Sequence, residues 1–114
     1  MSLEEQIKPF QLVTHDSSIS LIMAAVGSYK QHIFDEREEE GFEGGGHDWQ
    51  SLAVVFLEEK LPHLQGKVDL DSESSMFCVY SKDRAAIEEF AVAFHALCED
   101  EAQMRDLFSR AELD

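Results

Sequence analysis

Basic residues are scarce in this chain beside its acids. Lysine and arginine together number 9 against 24 aspartates and glutamates, a formal charge of −15 at pH 7. A surface so short of cations does not neutralise a phosphate backbone, which argues against nucleic-acid binding, and anionic lipid headgroups repel it. Long apolar runs are missing too. The longest nearly pure one, Leu21 to Val26, is far short of the roughly 20 residues a membrane span needs. Cysteine is limited to Cys78 and Cys98, in apolar surroundings and without CxxC or metal-ligand spacing. Reduced core thiols are therefore expected, not a bridge. The 5 histidines make no HxxxH or HExxH pattern, so no zinc site can be written from them. The opening MSLEEQ is acidic where a secretory leader is basic, and the expected compartment is the cytoplasm.

What is present suits one folded domain spanning residues 1–114. A chain of this length buries roughly two-thirds of the surface its unfolded form exposes, enough for a core without staples. Eight phenylalanines spread along the chain supply that core. The charge is a field rather than a fold determinant: it keeps the protein soluble, costs some self-repulsion and attracts basic partners.

Hydrophobic periodicity predicts two hairpins, each followed by a helix. Phe10 and Leu12, then Ile19, Leu21 and Met23, flank the polar cluster His15-Asp16-Ser17-Ser18, which reads as strand, turn, strand. Pro9 near the start suggests an edge strand. Residues 29–40 are ambiguous between a short helix and irregular chain. Trp49, Leu52, Ala53, Phe56 and Leu57 recur at helical spacing, with Asp48 expected as the cap of a helix starting at Trp49. Pro62 and Gly66 close it. Val68 and Leu70, the turn Ser72 to Ser75, and Met76 to Ser81 make the second hairpin. A second helix from Lys82 or Asp83 carries Ile87, Phe90, Phe94 and Leu97 on one stripe, and a last amphipathic stretch groups Met104, Leu107, Phe108 and Ala111. The fold class is α+β: a four-stranded antiparallel sheet from two hairpins with helices on one face.

The most unusual segment is DEREEEGFEGGGHD, Asp35 to Asp48, with seven acids, one base and four glycines among fourteen residues. Glu36, Glu38, Glu40 and Gly41 share the early spacing of a calcium loop. Glutamate stands where aspartate or asparagine belongs, however, and His47 where the closing acid should be. Gly44-Gly45-Gly46 before a helix start is the geometry of a phosphate cradle, but no Lys, Ser or Thr follows at the required spacing, and Glu43 and Asp48 repel an anion. Two readings of equal standing remain. In one, the acids are solvated and the glycines serve the backbone. In the other, Glu36, Glu38, Glu39, Glu40 and Glu43 steer a partner that Phe42 anchors. No nucleophile, base and orienting group assemble from the cysteines and histidines, so no enzymatic activity and no cofactor are expected.

Gly41 to Ala53, GFEGGGHDWQSLA, resembles the signature of the immunity protein 51 family, small bacterial proteins assigned to protect cells from polymorphic toxins. The family pattern of glycine, aromatic, Glu, Gly, a small or polar residue, Gly, a further residue, Asp and Trp falls on Gly41, Phe42, Glu43, Gly44, Gly45, Gly46, His47, Asp48 and Trp49. Gly45 departs from an expected Asn and His47 from an expected Tyr. DSESSMFCVYS (Asp71 to Ser81) and the ending DLFSRAELD also fit. The resemblance implies a cytoplasmic inhibitor that binds and neutralises a cognate toxin domain, and the acidity suits a basic one. The alternative is an acidic interaction adaptor, or a weak metal-binding module in an unrelated pathway.

Overall fold

The structure is a computed structural model that describes residues 3–112; Leu113 and Asp114 of the family-like ending lie outside them. Two hairpins form the sheet. β1 (Gln11–Thr14) and β2 (Ile19–Met23) pair antiparallel, with Leu12 opposite Leu21. The turn between them closes through the His15 N–H donating to the Ser18 carbonyl at 2.8 Å. β3 (Asp69–Leu70) and β4 (Phe77–Ser81) make the second hairpin, and β2 pairs β4 antiparallel with Leu21 opposite Val79. The order is β1-β2-β4-β3, so β1 is an edge as Pro9 suggests. Pro9 itself precedes the strand, where its missing N–H removes nothing from the ladder.

Strand alternation sorts the sheet into two faces. Leu21, Met23, Phe77 and Val79 are fully buried and belong to the core, while Ile22 and Tyr80, one residue out of phase, are only half-buried. On the core face lie α3 (Gly46–Lys60), against β4, and α4 (Arg84–Glu99), against β2 and β4. α5 (Glu101–Phe108) packs on both of those helices. The helices therefore share a single face, because only one phase of each strand is apolar enough to receive them. Phe94 sits at the centre, with the rings of Phe10, Phe56, Phe77 and Phe90 at centroid distances of 5.7, 5.3, 5.4 and 5.1 Å.

Phe56 and Phe90 meet edge-on at 5.9 Å across the α3–α4 seam and are 4% and 0% exposed. Truncating either to alanine is expected to cost about 3 kcal/mol, because the rigid neighbours leave a cavity unfilled. Urea melts of Phe56→Ala and Phe90→Ala measure this, and a loss under about 1 kcal/mol would show that the seam can collapse.

Local capping sets the helix boundaries. Asp83 precedes α4 and its carboxylate accepts from the Ala86 N–H at 3.3 Å, while Asp100 does the same for α5 through Gln103. The expected boundary of α3 needs correction. The helix begins at Gly46, not Trp49, and Asp48 lies inside its first turn instead of capping it. The ambiguous stretch resolves into α2 (Gln31–Asp35) and a 3-10 turn, Glu38–Glu40. A further short helix, α1 (Leu3–Gln6), and a 3-10 turn at Pro62–Leu64 were not expected. Each is only about one turn long, too short for periodicity to mark.

Candidate functional site

Arg37, the lone base of the acidic segment, organises it. Its Nε and Nη2 donate to Glu40 at 2.8 and 2.7 Å, a two-pronged pair that also holds the Glu40 carboxyl below the usual range. Its Nη1 donates to the carbonyls of Phe108 and, at 3.0 Å, Ala111. These carbonyls lie at and just beyond the end of α5, where helical donors run out; the Phe108 oxygen also accepts the Ala111 N–H at 3.0 Å, and the planar guanidinium fork suits both. The same guanidinium lies 4.4 Å from the Phe42 ring and 4.9 Å from that of Phe108. Arg37 thus rivets the loop to the end of α5.

This placement corrects the anchor assigned to Phe42. Its ring is 2% exposed and packs edge-on to Phe108 at 4.8 Å, inside the protein's own core. A phenylalanine between charged residues gains more by burial against a neighbouring ring than by waiting in water for a partner. Phe42 is therefore not offered to the surface.

The glycines of the family-like pattern each have a steric reason. Gly41 closes the 3-10 turn at φ 107°, and Gly44 has φ 85°, both in the left-handed region that L side chains avoid. A methyl group at Gly44 would stand 2.1 Å from Gln31 Oε1. Gln31 in turn donates to the Glu43 carbonyl at 3.0 Å and to Asp35 at 2.9 Å. Gly46 presses on the β3–β4 turn, donating its N–H to the Ser74 carbonyl at 3.0 Å. Asp48 reaches backwards: its Oδ2 accepts from the N–H groups of Glu43 and Gly44 at 2.7 and 2.8 Å. The carboxylate fills the anion-receptive hollow that the glycines make at the helix start, which removes it as a phosphate cradle. Trp49, fully buried, stacks on Tyr29 at 5.9 Å. Gly41, Gly44, Gly46, Asp48 and Trp49 therefore hold the loop against the core and the hairpin.

The remaining acids divide. Glu36 is held by Arg105 Nε at 3.0 and 2.9 Å and Glu40 by Arg37. Glu38, Glu39 and Glu43 are exposed and make no ion pair among the described residues. Among those residues no group of three His, Cys, Asp or Glu side chains converges as a metal site, and the calcium-like spacing is dispersed because its first and third acids face different arginines.

The sequence offered no partners for the histidines, but the fold supplies some. His63 meets Glu89 at 2.6 Å, and His15 meets the Ser20 hydroxyl at 3.1 Å across the turn of the first hairpin. His32 lies 3.1 Å from Glu101 and Lys30 3.0 Å from it. These two neighbours, His32 foremost, pull the Glu101 carboxyl down from 4.5 to about 2. A depressed carboxyl adds stability above its unfolded value, and that stability fades as pH falls through the folded one. Glu101→Gln is therefore expected to melt below the parent at neutral pH, with the gap closing between pH 4.5 and about 2. A gap independent of pH in thermal scans would assign the loss to packing.

Cys78 and Cys98 are free and buried, and burial pushes both thiols up, away from nucleophilic use. An open groove of about 1090 Å³ between β1 and Tyr29 has Lys8 and Tyr29 as its ionisable lining. Tyr29 donates to Glu99 at 2.6 Å, and burial with that bond raises its hydroxyl far above the ordinary range. Tyr29 is therefore not poised as a base there. Sequence reading missed Arg37 and Gln31 as the braces of the loop. Arg37 did carry a signal, as the single cation among seven acids.

No helix among the described residues is long and apolar enough to cross a membrane. The family model described as immunity protein 51 matches residues 10–113, from the entry to β1 through the whole glycine loop and α5. Neither the curated proteins nor the solved structures contain a match. The match covers nearly the whole chain, the glycine loop included: this chain belongs to the immunity protein 51 family.

Proposed function

We propose that the protein neutralises a basic toxin domain in the cytoplasm by binding it, and has no catalytic activity of its own. The family match over residues 10–113 carries this reading. Charge placement supports it. All four arginines and Lys30 are engaged by carboxylates of the same chain. Five of the 9 cations are thus paired internally, and the charge of −15 is the excess of acids that no cation can match. What a partner meets is mostly carboxylate. Fast capture protects a cell, and complementary charge raises association toward roughly 10⁸–10⁹ M⁻¹s⁻¹ at low salt.

Co-expression of this chain with each toxin domain of its source organism is the primary test. Relief of growth arrest by one of them is the expected outcome, and relief of none would refute the reading. For the domain so identified, Glu38, Glu39 and Glu43 are the loop's steering charges. Replacing all three with glutamine is expected to slow association about tenfold at low salt and flatten its salt dependence, with dissociation nearly unchanged. Surface plasmon resonance over a salt series checks it. Wild-type association at low salt would make the loop a solvated spacer.

A further inference from the structure

The face of the sheet turned away from the helices carries chemistry that the core does not use. Strand register sets Asp69, Tyr80, Ser20 and Val13 side by side across all four strands. Two residues along, Ile22 stands between Gln11 and Cys78, and the Asp71 N–H donates to the Cys78 carbonyl at 3.0 Å. Glu73 bridges Met76 in the same phase, so all these side chains share one face. Val13, Ile22, Met76 and Tyr80 are half-buried and stand outside the core cluster. The result is an apolar strip, with an aromatic carrying a hydroxyl in its middle and a row of carboxylates along one edge.

The carboxylates of that row are available. Asp69, Asp71 and Glu73 are exposed and make no ion pair among the described residues. The ion pairs formed by the arginines and Lys30 all involve carboxylates of the acidic loop or of α3, α4 and α5. Their field reaches the strip, since Asp71 and Glu73 add to burial in pushing the Cys78 thiol up.

We propose that this open sheet face is the surface on which the basic toxin domain docks, with Tyr80 as anchor and Asp69, Asp71 and Glu73 receiving its lysines and arginines. The inference rests on the immunity reading and adds to it the face that binds. Charge decides the occupant. A second copy of the chain brings the same carboxylate row and is repelled, as are lipid headgroups and nucleic acid. A basic protein surface is attracted, and an aromatic beside a polar rim is the arrangement that concentrates binding energy. The glycine loop delivers its own charges nearby, because Gly46 docks on Ser74 in the turn that carries Glu73.

The test uses the toxin domain that the full chain neutralises in the growth assay. Tyr80→Ala is expected to raise Kd at least about 30-fold, mainly through dissociation, and Asp71→Lys about 100-fold, with association slowed and growth protection lost. Melts by circular dichroism exclude unfolding, and Asp71, being exposed, keeps the test alive if Tyr80→Ala does not fold. Amide exchange on the complex is expected to show protection over residues 11–14, 19–23 and 69–80. Wild-type Kd for both variants, or protection confined to the helices, would overturn the docking face while leaving the immunity reading standing. Self-association that buries this face in sedimentation would also overturn it. Absence of any neutralised toxin would remove both.

Discussion

Gly46→Ala is expected to lower unfolding free energy by about 4 kcal/mol, beyond the roughly 1–3 kcal/mol usual for overpacking. Helix propensity argues the other way, since alanine in place of glycine inside a helix gains about 1 kcal/mol. Sterics win because of what the methyl group meets. It would lie 1.7 Å from the Glu73 carbonyl oxygen and 2.5 Å from that of Met76, both backbone atoms of the β3–β4 turn. Neither can swing aside as a side chain could. The helix would have to lift off the hairpin, losing the bond from Gly46 N–H to Ser74 O as well. Urea denaturation followed by far-ultraviolet dichroism reads the change directly. An unchanged or higher midpoint would mean that the loop does not dock on the hairpin.

Trp49→Ala is expected to cost about 5 kcal/mol, the top of the range for emptying a large aromatic site. The ring is fully buried and touches Phe10, Tyr29, Phe34, Phe77 and Phe94 at centroid distances of 6.1, 5.9, 5.0, 6.2 and 6.1 Å. It joins the entry to β1, α2, β4 and α4 to its own helix, α3. Against a typical domain stability of about 5–15 kcal/mol, further eroded here by self-repulsion, that loss removes roughly a third or more of what holds the chain folded. Trp49→Phe separates volume from polarity. The indole N–H is buried without a hydrogen-bond partner among the described residues, so phenylalanine forfeits no bond and removes an unsatisfied donor. The Phe variant is expected to stay folded within about 2 kcal/mol of the parent. Thermal scans of the two variants provide the comparison, and equal losses would show that the N–H has a partner after all.

How much of this was legible follows from the range of each interaction. The four strands, α3 and α4 could be read because alternation and the 3.6-residue stripe are local patterns with long repeats. The start of α3 could not. Asp48 looks like a cap in one dimension, yet its carboxylate finds better donors in the Glu43 and Gly44 amides once the chain doubles back. Phe42 shows the same limit. Composition placed it among acids, but its burial depends on Phe108, far along the chain on α5. The resemblance singled out Gly41 to Trp49 without saying what holds them in place. The constraints are steric, and they lie in the hairpin turn and in Gln31, which no local window contains. The carboxylate row of the outer sheet face was likewise hidden, because Asp69 and Asp71 read only as the polar phase of a strand and Glu73 as a turn residue until strand pairing aligned them with Tyr80 and Cys78.

The Tyr29–Trp49 stack gives the protein a built-in optical reporter. The chain holds one tryptophan and two tyrosines, and in the fold the Tyr29 and Trp49 rings lie nearly parallel, 11° apart, with Tyr29 half-buried and the indole fully buried. Excitation absorbed by Tyr29 passes to the indole, whose emission is shifted to the blue by the dry surroundings. Unfolding breaks the stack and wets the ring, so the transfer falls and the emission moves to the red together. A guest on the outer sheet face stays on the far side of the sheet from this pair. The same cuvette thus reports folding through tryptophan colour and, with a labelled guest, docking through anisotropy, and the two signals stay independent for every loop and sheet variant.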